Sequence, residues 1–258
     1  MLTDESPVAR AGLDGVAVKP LEHDLAAAAD LATDLLVVDY EGRDAFPDAD
    51  RLRSLTVDRR VAVTTPVRAD GFDPLDDTSL LPLPEGVERV LVAGNPAYLT
   101  DAERDRAVAP RLGAARETAP EAWVGTEGIE RIALAAGGTQ YELLGRHTAR
   151  EVRALRAAGF EGHLALYAPV VLTNDEDAVL DAVGGYAARR GPVRRALPDN
   201  AATDASATGR AREVLTQAVH DFALAGETET VADRIENLRE AGVDTIVGYP
   251  ARGLADFR

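Results

Sequence analysis

Short apolar runs punctuate this chain from end to end. They are GVAVKP (15–20), LLVVDY (35–40), VAVTTPV (61–67), RVLVAG (89–94), EAWVG (121–125), QYELLG (140–145), HLALYAPVVL (163–172) and DTIVGYP (244–250). Most are nearly continuous rather than alternating, as expected of strands covered on both faces. The stretches between them carry helix signals. Thr100-x-x-Glu103, Thr148-x-x-Glu151 and Thr173-x-x-Glu176 read as capping boxes, which supply acceptors to the free N–H groups of a helix start. Val152, Leu155 and Ala158 share a helical face that Gly159 ends; Val231, Ile235, Leu238 and Ala241 form another, ended by Gly242. Strands alternating with helices imply parallel pairing through right-handed crossovers. Eight such strands in 258 residues predict one α/β domain spanning 1–258, a closed (β/α)8 TIM barrel. The open doubly wound parallel sheet is the alternative.

Two segments break the rhythm. Residues 66–86 are rich in Pro, Gly and Asp and read as a lid or a disordered loop; residues 190–209 read as a mobile linker.

Composition narrows the function. The chain has no cysteine, which excludes disulfides, thiolate nucleophiles and Cys-based zinc sites. His23, His147, His163 and His220 form no HxH or HExxH spacing, so no metal is expected. No apolar run reaches the roughly 18 residues of a membrane helix, and MLTDESPVAR lacks the features of a signal peptide. A cytoplasmic protein without a membrane partner is expected. The net charge is −16, and Lys19 is the single lysine among 28 basic residues. Dispersed acids with so little lysine suggest a halophilic, archaeal type of surface that stays soluble in salt. The same charge argues against nucleic acid as a partner.

In a (β/α)8 barrel, chemistry sits at the C-terminal ends of the strands. That rule selects Lys19, Asp39, Thr64, Thr65, Arg68, Asn95, Glu127, Tyr141, Tyr167 and Tyr249. Lys19 could neutralise a phosphate or carboxylate, or act as a base if desolvated; its ordinary role would be a surface pair with Glu22. Asp39 could be a base or a partner of Lys19, or could cap the next turn. Lys19 and Asp39 are the candidate catalytic pair. The candidate cofactor-binding set is Thr64, Asn95, Gly137, Gly138, Tyr249 and Arg252. Asn95 could hold a cofactor edge or form an Asx turn. The glycine pair could admit a phosphate or end a helix, and Arg252 could fork onto a phosphate or sit charged on the rim. His23, just past the first strand, could face the site.

The C-terminal half, residues 121–258, resembles the luciferase-like superfamily, which includes methylenetetrahydromethanopterin reductase. FALAGETETVADRIENLREAGVDTIVGYP (222–250) is similar to that family's closing phrase. Gly226, Val231, Ala232, Arg234, Ile235, Leu238, Ala241, Gly242, Val243 and Asp244 keep its order. HLALYAPVVLTNDEDAVLDAVGGYAAR (163–189) and GTEGIERIALAAGGTQYELLG (125–145) resemble its seventh strand and its fifth-to-sixth strand region. The resemblance implies an oxidoreductase that moves a hydride between coenzyme F420 or FMN and a small-molecule substrate, alone or as a homodimer. A diverged, cofactor-free binding or scaffold barrel is the second reading. A shortened N-terminal half, and VAGNPAYL (92–99) where the family has a glycine-rich turn, point toward it. An unrelated barrel enzyme using Lys19 and Asp39 is the third.

Overall fold

Side chains alternate along a strand, so every second residue of each apolar run faces the same way. The computed structural model describes residues 6–67, 80–94 and 105–258. Its strands are β1 (Gly15–Val18), β2 (Leu35–Val38), β3 (Arg60–Pro66), β4 (Val87–Val92), β5 (Trp123–Gly125), β6 (Gln140–Leu143), β7 (Leu164–Val171), β8 (Leu224–Ala225) and β9 (Thr245–Pro250). All pair in parallel. The order β1-β2-β3-β4-β5-β6-β7-β9 returns to β1 through Gly15 opposite Val247, closing an eight-stranded barrel. The open sheet is therefore ruled out, because no edge remains between β6 and β7 or between β9 and β1.

One parity fills the barrel: Ala17, Val37, Ala62, Val90, Trp123, Tyr141, Ala165, Tyr167, Val247 and Tyr249 pack together inside. The other parity, including Val16, Val18, Leu36, Val38, Val61, Val63, Leu164, Leu166 and Ile246, packs outward against helices. Both parities are apolar, which explains the continuous runs.

The helices are α1 (Pro7–Arg10), α2 (Leu25–Ala29), α3 (Ala49–Leu55), α4 (Val108–Thr118), α5 (Glu130–Ala136), α6 (Thr148–Ala157), α7 (Glu176–Ala188), α8 (Gly191–Ala196), α9 (Gly209–Phe222) and α10 (Thr228–Ala241). In α10, Val231, Ile235, Leu238 and Ala241 are buried and Gly242 ends the helix at φ 111°, as the sequence indicates. In α6 only Val152 of the expected stripe is buried, and Ala158 is exposed. None of these helices is long and apolar enough to cross a membrane.

Several expectations need correction. Thr148 does not cap α6 from outside: it is the first helical residue, and its hydroxyl accepts from Gly145 N. At α7 the cap moves two residues on. The Asp175 carboxylate accepts from Asp177 N and Ala178 N, while Thr173 accepts from Asp175 N in the preceding turn. Thr100 and Glu103, with residues 68–79 of the 66–86 segment, lie outside the described residues.

The segment 190–209 is not simply a linker. Residues 191–196 form α8, which buries Val193, and Ala207 packs between α7 and α9. Together α7, α8 and α9 form a helical insertion between β7 and the two-residue strand β8. That strand, absent from the apolar-run pattern, pairs with the last two residues of β7, Val170 and Val171.

Candidate functional site

The inward parity continues past the last apolar layer. Two residues beyond Ala17, Val37, Ala62 and Val90 come Lys19, Asp39, Thr64 and Val92; two beyond Trp123 and Tyr141 come Gly125 and Leu143. All six line a cavity of about 490 Å³ at the C-terminal mouth of the barrel. Tyr141 and Tyr167 form its aromatic floor, with ring centroids 6.2 Å apart. Tyr186, Arg189 and Arg190, from the end of α7 and the start of α8, close it from the side of the insertion. Arg190 Nη1 donates to Glu127 Oε1 at 2.8 Å, fastening the insertion to the loop after β5. Arg190 also donates to the Tyr186 hydroxyl and stacks over that ring, 4.4 Å from its centroid.

Around Lys19 the groups are tightly held. Its Nζ lies 3.0 Å from Glu22 Oε1 and 4.3 Å from the centre of the Tyr249 ring. The Tyr249 hydroxyl donates to the other Glu22 oxygen. Burial pushes the Glu22 carboxyl up, but the hydrogen bonds from Tyr249 and Lys19 outweigh it and leave the group below its usual range. Burial and the bond to Glu22 push the Tyr249 phenol up, so it stays protonated.

His23 Nδ1 accepts from Lys19 N at 3.0 Å and Nε2 faces Pro250 O at 3.3 Å, which requires the proton on Nε2. Burial holds this imidazole below its ordinary pKa. His23 is thus a neutral clamp joining the ends of β1 and β9, and it does not line the cavity.

Asp39 is the distinctive group. Among the described residues its carboxylate has no hydrogen-bond donor, and it opens into the cavity. Desolvation pushes its pKa from 3.8 to about 7; Lys19 opposes the rise, and Glu41 and Glu22 add to it. A carboxyl in this range exchanges protons near neutrality.

The other candidates divide by position. Thr64 lines the cavity while its hydroxyl also accepts from Tyr40 N at 2.6 Å. Tyr249 lies beneath Lys19. Thr65 has the outward parity and receives Arg89 Nη1 at 3.0 Å. Arg252, in the turn after β9, pairs with Asp256 at 3.4 Å and does not line the cavity. Gly137 and Gly138 are at the opposite end of the barrel. Gly137 ends α5 with φ 72°, and Gly138, at φ 78°, lies against the Ala122 carbonyl below β5. Neither can admit a phosphate at the mouth, because the chain enters β6 there rather than leaving it. Asn95 and Arg68 lie outside the described residues. Barrel-rim reasoning missed Tyr186, Arg189 and Arg190, because they come from the insertion; the dipeptide Arg189-Arg190 at the end of an apolar helix pattern was the available signal.

Comparison with known structures agrees with this architecture. The chain is similar to the coenzyme F420-dependent tetrahydromethanopterin reductase from Methanopyrus kandleri, with a TM-score of 0.62 and 14% identity, covering 94% of each chain. It is similar to an F420-dependent secondary alcohol dehydrogenase solved with an F420-acetone adduct, with a TM-score of 0.58 and 12% identity over 93% of this chain and 94% of the other. It also resembles apo-MsnO8, with a TM-score of 0.56 and 14% identity over 93% and 92%. At these identities the likeness shows the (β/α)8 fold alone. No curated protein matches the sequence. A family model spans residues 8–257, from α1 through the whole barrel and insertion, and the chain therefore belongs to the family of unknown function DUF7388.

Proposed function

We propose that this protein is an oxidoreductase that binds a deazaflavin of the coenzyme F420 type, or FMN, at the barrel mouth and acts on a small organic substrate. The observation that carries this reading is the free Asp39 carboxyl, near neutral pKa, opening into a cavity with a Tyr141–Tyr167 floor. The residues fit such a group. A volume of about 490 Å³ is within the range of cofactor pockets, and the edge-to-face Tyr141–Tyr167 pair gives an aromatic lining beside a few polar groups, the usual make-up of a cofactor site. The names of two structural neighbours, which include coenzyme F420, support the choice.

When bound, the ring supplies the hydride donor or acceptor. The chain does the rest. Tyr141, Tyr167 and Leu143 pack the ring, and the insertion, latched by Arg190 and Glu127, excludes water. Asp39 takes or returns the proton that accompanies hydride movement, and Lys19 tempers its pKa from one side. Fluorescence titration with coenzyme F420 and FMN tests the proposal. Micromolar binding that Asp39→Asn retains, with loss of turnover, is the expected outcome; failure of the native protein to bind either ring overturns it.

One observation favours the second reading, a cofactor-free binding barrel. Gly137, Gly138 and Arg252, three groups suited in principle to a cofactor phosphate, are all absent from the cavity. Under that reading the titration shows no binding of either ring.

A further inference from the structure

Among the described residues three cations line the cavity: Lys19, Arg189 and Arg190. Two are neutralised by the protein, Lys19 by Glu22 and Arg190 by Glu127. Arg189 is not. Among the described residues no carboxylate lies within ion-pair distance of it, and its ring neighbour, Tyr186, is 5.9 Å away. It is exposed at the C-cap of α7, beside the latch. In a chain with 44 acids against 28 bases, a cation left without an acid at a cavity mouth meets little competition from its own protein for an incoming anion. The two consecutive arginines have divided roles: Arg190 docks the insertion, and Arg189 is left facing the entrance.

We infer that Arg189 is a specificity-determining residue that receives a phosphate or carboxylate group of the ligand at the insertion side of the cavity, across from Lys19 and Asp39. The inference rests on reading the cavity as a ligand site and adds the class of ligand: one that is apolar or aromatic in its middle and anionic at its outer end. A guanidinium suits this task because its fork matches both oxyanions. The general repulsion of an acidic protein for anions makes an uncompensated cation at the mouth a point where such a ligand is sorted from its neutral analogue.

FMN and riboflavin share one ring system and differ by a phosphate, so their affinities read the anion directly. The native protein is expected to prefer FMN by about tenfold, the size of one charge-assisted contact. Arg189→Gln should abolish the preference while leaving riboflavin affinity unchanged, and Arg189→Lys should restore part of it. A second measurement needs no flavin. Phenylglyoxal labelling is followed peptide by peptide, with inorganic phosphate as the competitor and exposed Arg195 as the internal control. Phosphate is expected to protect Arg189 several-fold more than Arg195.

Protection in a protein that binds neither FMN nor coenzyme F420 would leave the anion site standing and defeat the proposed function. Protection in a protein whose preference for FMN survives Arg189→Gln would place the anion on the substrate rather than on the cofactor. Equal labelling of Arg189 and Arg195 with phosphate present would overturn the inference, whether or not flavins bind.

Discussion

The ammonium of Lys19 stands 4.3 Å over the centre of the Tyr249 ring, although 230 residues of chain separate the two. Barrel closure makes them neighbours: β1 and β9 pair, and both residues occupy inward positions near the ends of those strands. Glu22 completes the group by accepting from both. The pairing of Lys19 with Glu22 and its place in the cavity are therefore compatible.

Lys19→Ala should cost little stability, about 1 kcal/mol, since an exposed ion pair and one cation–π contact are the interactions lost. Its main effect should be electrostatic. Lys19 lowers the Asp39 pKa, so its removal should move that group above about 7. Carbon-13 NMR of the Asp39 carboxyl checks this; an unchanged or lower titration midpoint would contradict it.

Asp39 should make the protein less stable as pH rises. Its folded pKa of about 7 exceeds the ordinary 3.8, so the folded state binds more protons between those values. Stability is then lost as pH climbs through that window, by up to about 4 kcal/mol above pH 7. Asp39→Asn should flatten the slope and leave the variant more stable than the native protein at pH 8. Urea unfolding at pH 5 and pH 8 measures both; parallel slopes would refute the claim.

Gly138→Ala should destabilise without touching the cavity. The residue has φ 78°, and an added Cβ would lie 2.9 Å from the Ala122 carbonyl oxygen. A loss of about 1–3 kcal/mol is expected from the strained backbone. Ligand affinity should not change. Weakened binding in a variant that melts normally would return the glycine pair to the site.

Potassium chloride at molar concentration should raise the melting temperature. A net charge of −16 repels itself in the compact state, and salt screens that repulsion. Equal melting temperatures at low and molar salt would show that the acidic surface has no such effect.

Much of the fold was legible because strand parity is a local property. Side chains alternate whatever the partner, so apolar runs followed two residues later by Lys19, Asp39 and Thr64 already mark the end of a barrel interior. The same parity, applied strictly, would have set Thr65 outside. Gly137 and Gly138 precede β6, so chain direction alone puts them at the N-terminal end of the barrel, and of their two readings the helix end is the one found. β8 was missed because two residues, Leu224 and Ala225, carry no period.

What the sequence determined by itself was the barrel, its acidic and cysteine-free character, and the Lys19–Asp39 end of the cavity. The tertiary structure decided the other end. Arg190 reaches Glu127 across 63 residues, and Arg189 stands beside it with no carboxylate partner among the described residues, because α7, α8 and α9 pack as an insertion over the mouth. No local pattern encodes that contact: it depends on how three helices dock against one another, and each helix buries its own face whether or not its end reaches the barrel.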